Sequence, residues 1–210
     1  MSKFARMAVA FAFFGALAIP SAMAKTVASA NGGFTVSSGK VTATYLDPAT
    51  NKVVTKTFGA GEKVPDQAVV QADENAVLTS GTGMTITVSQ GTKFQAATTS
   101  SGQVDVHVMS GSSVQIAGYG HSASVPVGAE VNTGGGDVQV IKAGSGGESV
   151  VVTNQSDGST TSLGAGQQTT TQAYAGGSFT NVGGVGTNTG NSILTSPVQN
   201  VSTTLSPSTP

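Results

Sequence analysis

Apolar and polar residues alternate along most of this chain with a period of two, the spacing at which successive side chains of an extended backbone point to opposite faces. Val41, Ala43 and Tyr45 alternate with Thr42, Thr44 and Leu46, and Asp47-Pro48-Ala49-Thr50-Asn51 then supplies turn chemistry ahead of Val53-Val54-Thr55-Lys56-Thr57-Phe58. This pattern predicts a β-hairpin within an N-terminal region, 25–58. Further strands are predicted at 76–79, 84–88, 93–96, 104–109 and 114–116, separated by clusters of Gly, Ser and Asn. The alternation of Val125, Val127, Ala129 and Val131 predicts a strand over 124–131, and others follow at 138–141, 149–154, 160–163 and 168–173. No window after residue 25 carries a long apolar stripe at helical spacing.

A succession of short strands with Gly-rich turns predicts an all-β protein, built as a β-sandwich or as a β-solenoid-like stack. A faint internal repeat bears on that choice. Gly102-Gln103-Val104-Asp105-Val106-His107-Val108 recurs as Gly136-Asp137-Val138-Gln139-Val140-Ile141, and Gly91-Thr92-Lys93-Phe94 recurs as Gly128-Ala129-Glu130-Val131. Two copies are fewer than a repeat array requires, so the simpler expectation is two similar hairpins in one sheet.

The ends of the chain differ from its middle. Lys3 and Arg6 precede an apolar run from Met7 to Ile19, and Ala22-Met23-Ala24 supplies a small-x-small cleavage pattern, so residues 1–24 are expected to be a secretory signal peptide. The run is shorter than the roughly 20 residues of a membrane-spanning helix. From Gly176 to Pro210 the chain is rich in Gly, Asn, Ser, Thr and Pro and has no charge, which predicts a flexible or extended tail. The same composition also suits a surface coat or β-type pairing between chains.

Composition narrows the chemistry. The full chain has 210 residues, a formal net charge of -1, only 9% charged residues, 29 Gly, and neither Cys nor Trp. Removal of residues 1–24 leaves seven Lys, no Arg and ten acids. A basic nucleic-acid-binding face is therefore not expected, and bidentate Arg clamping of phosphate or carboxylate has no residue to perform it. Without Cys there are no disulfides, thiolate metal sites or Cys nucleophiles. Seven aromatic residues remain, so the core is expected to be mostly Val, Ala, Ile and Leu.

Five segments have the residue types of functional sites. Gly120-His121-Ser122-Ala123-Ser124 approaches a nucleophile elbow but lacks its final glycine, and Val125-Pro126-Val127 after it is extended, so a turn between strands is expected. Asp105 and His107 share one strand face and form a possible weak metal pair, yet a solvated face is the plainer expectation. Asp73, Glu74 and Asn75 lack the spacing of a calcium loop. Gly134-Gly135-Gly136-Asp137 matches one fragment of a calcium-binding nonapeptide, once. Gly183-Gly184-Val185-Gly186 lacks the strand and third glycine of a dinucleotide site. No catalytic, cofactor-binding or metal-binding residue is assigned, and no cofactor is expected.

Residues 59–111, with Gly59-Ala-Gly-Glu-Lys-Val-Pro-Asp-Gln-Ala-Val-Val-Gln-Ala-Asp-Glu-Asn-Ala-Val-Leu-Thr and then Met84-Thr-Ile-Thr-Val-Ser-Gln-Gly91-Thr-Lys-Phe94, resemble the FecR periplasmic domain. The second half is similar to its closing portion, in 125–131, Val138-Gln139-Val140, Ser149-Val-Val-Val-Thr and Leu163-Gly-Ala-Gly-Gln-Gln168. The likeness spans about 59–172, within a region 59–175. FecR proteins are typically membrane-spanning regulators whose cytoplasmic segment acts on a sigma factor; here a cleavable signal replaces that segment. The resemblance implies an all-β extracytoplasmic domain that works through protein contacts without catalysis, and carries no catalytic residue across.

The function expected from the sequence is thus an exported, non-enzymatic FecR-like module of the periplasm or cell envelope. Its expected partner is an envelope or extracellular protein, without nucleic acid and without a membrane span after signal cleavage. The alternatives are a matrix, coat or fibre subunit that self-associates through strand edges, and a secreted hydrolase with a carboxylate pair in a cleft.

Overall fold

The predicted hairpin forms as β2 (Lys40–Asp47) and β3 (Lys52–Gly59), with Val41 and Ala43 buried. On its other face Thr42 meets Thr57 and Thr44 meets Thr55, each pair 3.0 Å apart between hydroxyls. The structure, a computed structural model, describes residues 33–99, 102–134, 137–173 and 179–187, together with Leu194. The expected signal peptide lies outside the described residues.

Before the hairpin lies β1 (Phe34–Ser38), and after it come β4 (Lys63–Val64) and β5 (Val69–Ala72). Six hairpins follow in pairs. β6 (Ala76–Ser80) and β7 (Thr85–Val88) precede β8 (Lys93–Thr98) and β9 (Val104–Ser110); β10 (Val114–Gly118) and β11 (His121–Val125) precede β12 (Glu130–Gly134) and β13 (Asp137–Lys142). The third pair is β14 (Val150–Asn154) with β15 (Thr160–Leu163), then β16 (Gln167–Ala173) with β17 (Phe179–Thr187). Within the segment expected to be a flexible tail, Phe179–Thr187 therefore runs as a strand beside β16, and the rest of that segment, Leu194 apart, lies outside the described residues.

Successive hairpins join opposite sheets. The eight-stranded sheet has the order β15-β14-β11-β10-β7-β6-β1-β4, and the nine-stranded sheet the order β17-β16-β13-β12-β9-β8-β5-β2-β3. The all-β class holds, and the arrangement joins the two expected architectures: a sandwich of two antiparallel sheets that grows by adding one hairpin to each sheet in turn. The faint repeat is explained by this winding. β8–β9 and β12–β13, which carry it, lie side by side in the nine-stranded sheet.

The inward residues form one hydrophobic cluster from Phe34 to Leu163, dominated by Val. Fully burying a Val or Leu side chain contributes about 1.5–3 kcal/mol, so this interior supplies the main drive to fold. The cluster crosses residue 58 without a break, and β2 pairs with β5 as well as β3, so regions 25–58 and 59–175 share a core.

The expected strand over 124–131 is two strands on different sheets. Pro126 cannot donate to a ladder, and Gly128 adopts a φ of +85, where an added Cβ would meet Ser145 Oγ at 2.5 Å. The alternation persists across the crossing because Val125 and Val131 enter the same core from opposite sides. β1, β4 and β5 have no counterpart in the predicted strands, since two to five residues hold too few alternations to stand out. Gly39, at φ +78, makes the crossing from β1 to β2, where a Cβ would press on the Asn75 carbonyl oxygen.

Candidate functional site

Asp105 and His107 do share a face of β9, opposite Val104, Val106 and Val108, but that face is not solvated. Asp105 is 0% exposed, against the expectation of a solvated strand, and His107 is half-buried. The reason lies in the neighbouring strands. Ala97 of β8 and Asn132 of β12 flank Asp105 in register, and both are buried. The row continues from Asn132 to Gln139 of β13 and Gln168 of β16. A parallel row runs through Gln95, His107 and Glu130.

The polar side chains of these two rows, on the outward face of the nine-stranded sheet, are buried or half-buried. Gln95 is buried, and its Nε2 donates to the Gln67 carbonyl oxygen at 2.9 Å. Glu130 Oε1 and Gln139 Nε2 are buried and have no hydrogen-bond partner among the described residues. Burial pulls the pKa of His107 below the ordinary imidazole value, Lys142 acts in the same sense, and Glu130 opposes them. The folded protein therefore binds a proton at His107 less readily than the unfolded chain. The resulting stability is present above the unfolded imidazole pKa of 6.5 and is lost as pH falls through the folded value. Thermal unfolding at pH 7.5 and pH 5 should show a smaller drop in Tm for His107→Gln than for the parent chain; equal drops would remove His107 as a contributor.

The remaining candidate segments have structural explanations. Tyr119 and Gly120, at φ 50 and 83, form the two-residue turn between β10 and β11, a geometry that matches the twist of a hairpin. His121 then points into the core, with Nε2 2.8 Å from Thr133 Oγ1 of the opposite sheet. Ser124 Oγ accepts from Gln115 Nε2 at 2.7 Å on the outer surface, so the segment is a strand and not a strand-to-helix elbow.

Asp73 accepts from Thr42 Oγ1 at 2.8 Å, Glu74 pairs with Lys40 at 3.7 Å, and the Asn75 side chain accepts from the Gln90 amide. Asp137 opens β13 opposite Gly134, while Gly135 and Gly136 lie outside the described residues; Gly183 to Gly186 fall within β17. Among the described residues no group of three His, Asp or Glu is placed to hold a metal ion, and no helix is long and apolar enough to cross a membrane.

The third feature is an edge. β3 ends the nine-stranded sheet over eight residues, with Lys52, Val53, Thr55, Lys56 and Thr57 exposed. Lys56 is held on two sides: its Nζ lies 3.2 Å from Glu62 Oε1 and 4.7 Å from the Phe58 ring centroid. The Gly59 amide, and then Lys56, hold the Glu62 carboxyl below the usual carboxylate range. Lysines on an edge strand discourage indiscriminate sheet-to-sheet pairing while leaving its backbone groups accessible to a partner of suitable shape. Sequence reasoning finds the β3 strand and its lysines but has no signal that this strand, and not β2, lies at the edge.

Comparison of the chain with family models, with curated proteins and with solved structures finds no match.

Proposed function

We propose that this protein is an exported, non-enzymatic, FecR-like all-β module of the bacterial envelope that binds an extended protein segment along the β3 edge. The observation that carries the reading is the eight-residue edge strand β3, five of whose side chains are exposed, a length that allows a partner strand to form an antiparallel ladder. The resemblance of 59–172 to the FecR periplasmic domain and the signal-like residues 1–24 support the location.

A photo-cross-linking residue in place of Thr55, in the full chain expressed in a bacterium, should give an adduct with one envelope protein. The same probe in place of Gln115, on the outer face of the other sheet, should not. Light scattering of the purified protein should show a monomer across concentrations. Failure to form an adduct at position 55 would overturn the edge reading, and adducts of the chain with itself would favour a fibre subunit. That second reading has its own observation: β17 forms the opposite edge of the same sheet, and pairing of β3 with β17 of another copy would not close into a ring unless the geometry imposed it.

A further inference from the structure

The outward side chains of β9 differ in exposure along the strand: Asp105 is 0% exposed, His107 half-buried and Met109 37% exposed. Beside Asp105 in register, Ala97 of β8 is also 0% exposed, and Asn132 of β12 is buried. Strands β8 and β12 close the flanks of Asp105 but do not lie above it, and Ala97 brings only a methyl group to this face. The eight-stranded sheet packs on the other side, against Val104, Val106 and Val108. Toward the margin of the same face, Gln71 of β5 and Thr55 of β3 are exposed, so the burial is confined to the middle of the sheet. Glu130 Oε1 and Gln139 Nε2 are buried there too, an acceptor and a donor without a partner among the described residues.

We propose that residues 188–196, the segment that follows β17, run across the strands of the same molecule and cover this face at Asp105 and Ala97. The path of the chain supports it. β17 ends at Thr187, one residue past Gly186, and Gly186 pairs with Gln168, which heads the row Gln168, Gln139, Asn132 and Asp105. The chain therefore leaves its last strand at the end of the buried row. Four strand intervals separate β17 from β9, about 19 Å in all. The seven residues from Thr187 to Leu194 reach about 23 Å when extended, enough to bring Leu194 over Asp105. Leu194, the one described residue beyond Thr187, belongs to no strand and is nevertheless half-buried.

The chemistry of the segment suits the face. Residues 188–210 contain no Asp, Glu, Lys or Arg, so they bring no like charge against Asp105 and Glu130. An extended backbone presents N–H groups that donate to carboxylate oxygens and C=O groups that accept from an amide such as Gln139 Nε2. Ile193 and Leu194 add apolar area to set against Ala97. The residues before Gly33 are the competing cover, because the Gly33 amide donates to Thr98 Oγ1 at 3.2 Å, next to Ala97.

The chain has no Cys, so a nitroxide attached at Ser196→Cys in the full chain is carried at one position. Amide NMR of that chain should show broadening at Ala97, Asp105 and Asn132 that is about tenfold or more stronger than at Gln115 and Ser124. Those two lie on the outer face of the other sheet, about 10 Å farther away, and the effect falls steeply with distance. A mixture of the nitroxide-bearing chain with a separately isotope-enriched chain should leave all these signals sharp. Adding Ala97→Lys should abolish the broadening, because its side chain takes the space of the cover, while far-UV circular dichroism stays that of the parent. Absence of broadening at the three amides, equal broadening at Gln115, or broadening that survives Ala97→Lys in a folded chain would each overturn the proposal. Broadening in the mixture would assign the cover to a second copy, and broadening from a nitroxide at Ser29→Cys but not at Ser196→Cys would assign it to the residues before Gly33; either result also overturns it. If Ala97→Lys does not fold, the comparison of nitroxide positions decides alone. Cross-linking at Thr55 is a separate question, since β3 lies four strand intervals from β9 at the margin of the sheet.

Discussion

Val106→Asp should leave the protein unfolded under conditions in which His107→Ala remains folded. Val106 is 0% exposed on β9, between Ala96 of β8 and Val131 of β12, and faces the core shared by the two sheets. A carboxylate there lies among the apolar side chains of the core and must either stay ionised in an apolar interior or take up a proton. The cost is about 4 kcal/mol or more, a large fraction of the 5–15 kcal/mol by which ordinary domains are stable. His107 is one residue along and on the opposite face, where truncation removes a half-buried ring at a cost of about 1 kcal/mol or less. Far-UV circular dichroism with urea titration measures both. Equal tolerance at the two positions would invert the assignment of faces on β9.

Phe94→Ala should lower stability by about 3–5 kcal/mol. Phe94 heads the fully buried side chains by volume among the described residues, and its cross-strand partners Val70 and Val108 are themselves core residues. Removing the ring leaves a cavity beside Val70 and Val108, whose short, stiff side chains have little reach to fill it. A loss of this size corresponds to a fall in Tm of about 10 °C in a domain of this length. Phe94→Leu keeps much of the volume and should cost about 1–2 kcal/mol. A Tm unchanged in Phe94→Ala would mean that the two sheets are not packed around this ring.

Much of the strand inventory is legible in the alternation. β2 and β3 form the hairpin that Val41 to Phe58 predicts, and the strand expected over 104–109 is β9, with the three expected valines inward. The alternation misleads where one apolar phase runs through a change of sheet, as it does from Val125 through 126–129 to Val131. It is silent at β1, β4 and β5, which take their strand form from pairing with β6, β1 and β8 over a few residues.

The candidate sites were legible to a smaller degree. Asp105 occupies a polar position of the pattern, and its burial comes from Ala97 and Asn132, residues 8 and 27 positions away in the chain. The outer row of the eight-stranded sheet, Thr35, Thr79, Thr85, Ala117, Ser122, Thr153 and Thr160, draws its members from seven strands, and its alignment exists only once every pair of strands has its register.

What the sequence by itself determined is the all-β class and the side of most strands that turns inward, because the period of two is a property of the extended backbone and needs no distant partner. The tertiary structure alone decided which sheet each hairpin joins, which strand is left at the edge, and which polar residues stand side by side. Those follow from register and sheet order, set by contacts between residues far apart in the chain, and no local spacing encodes them.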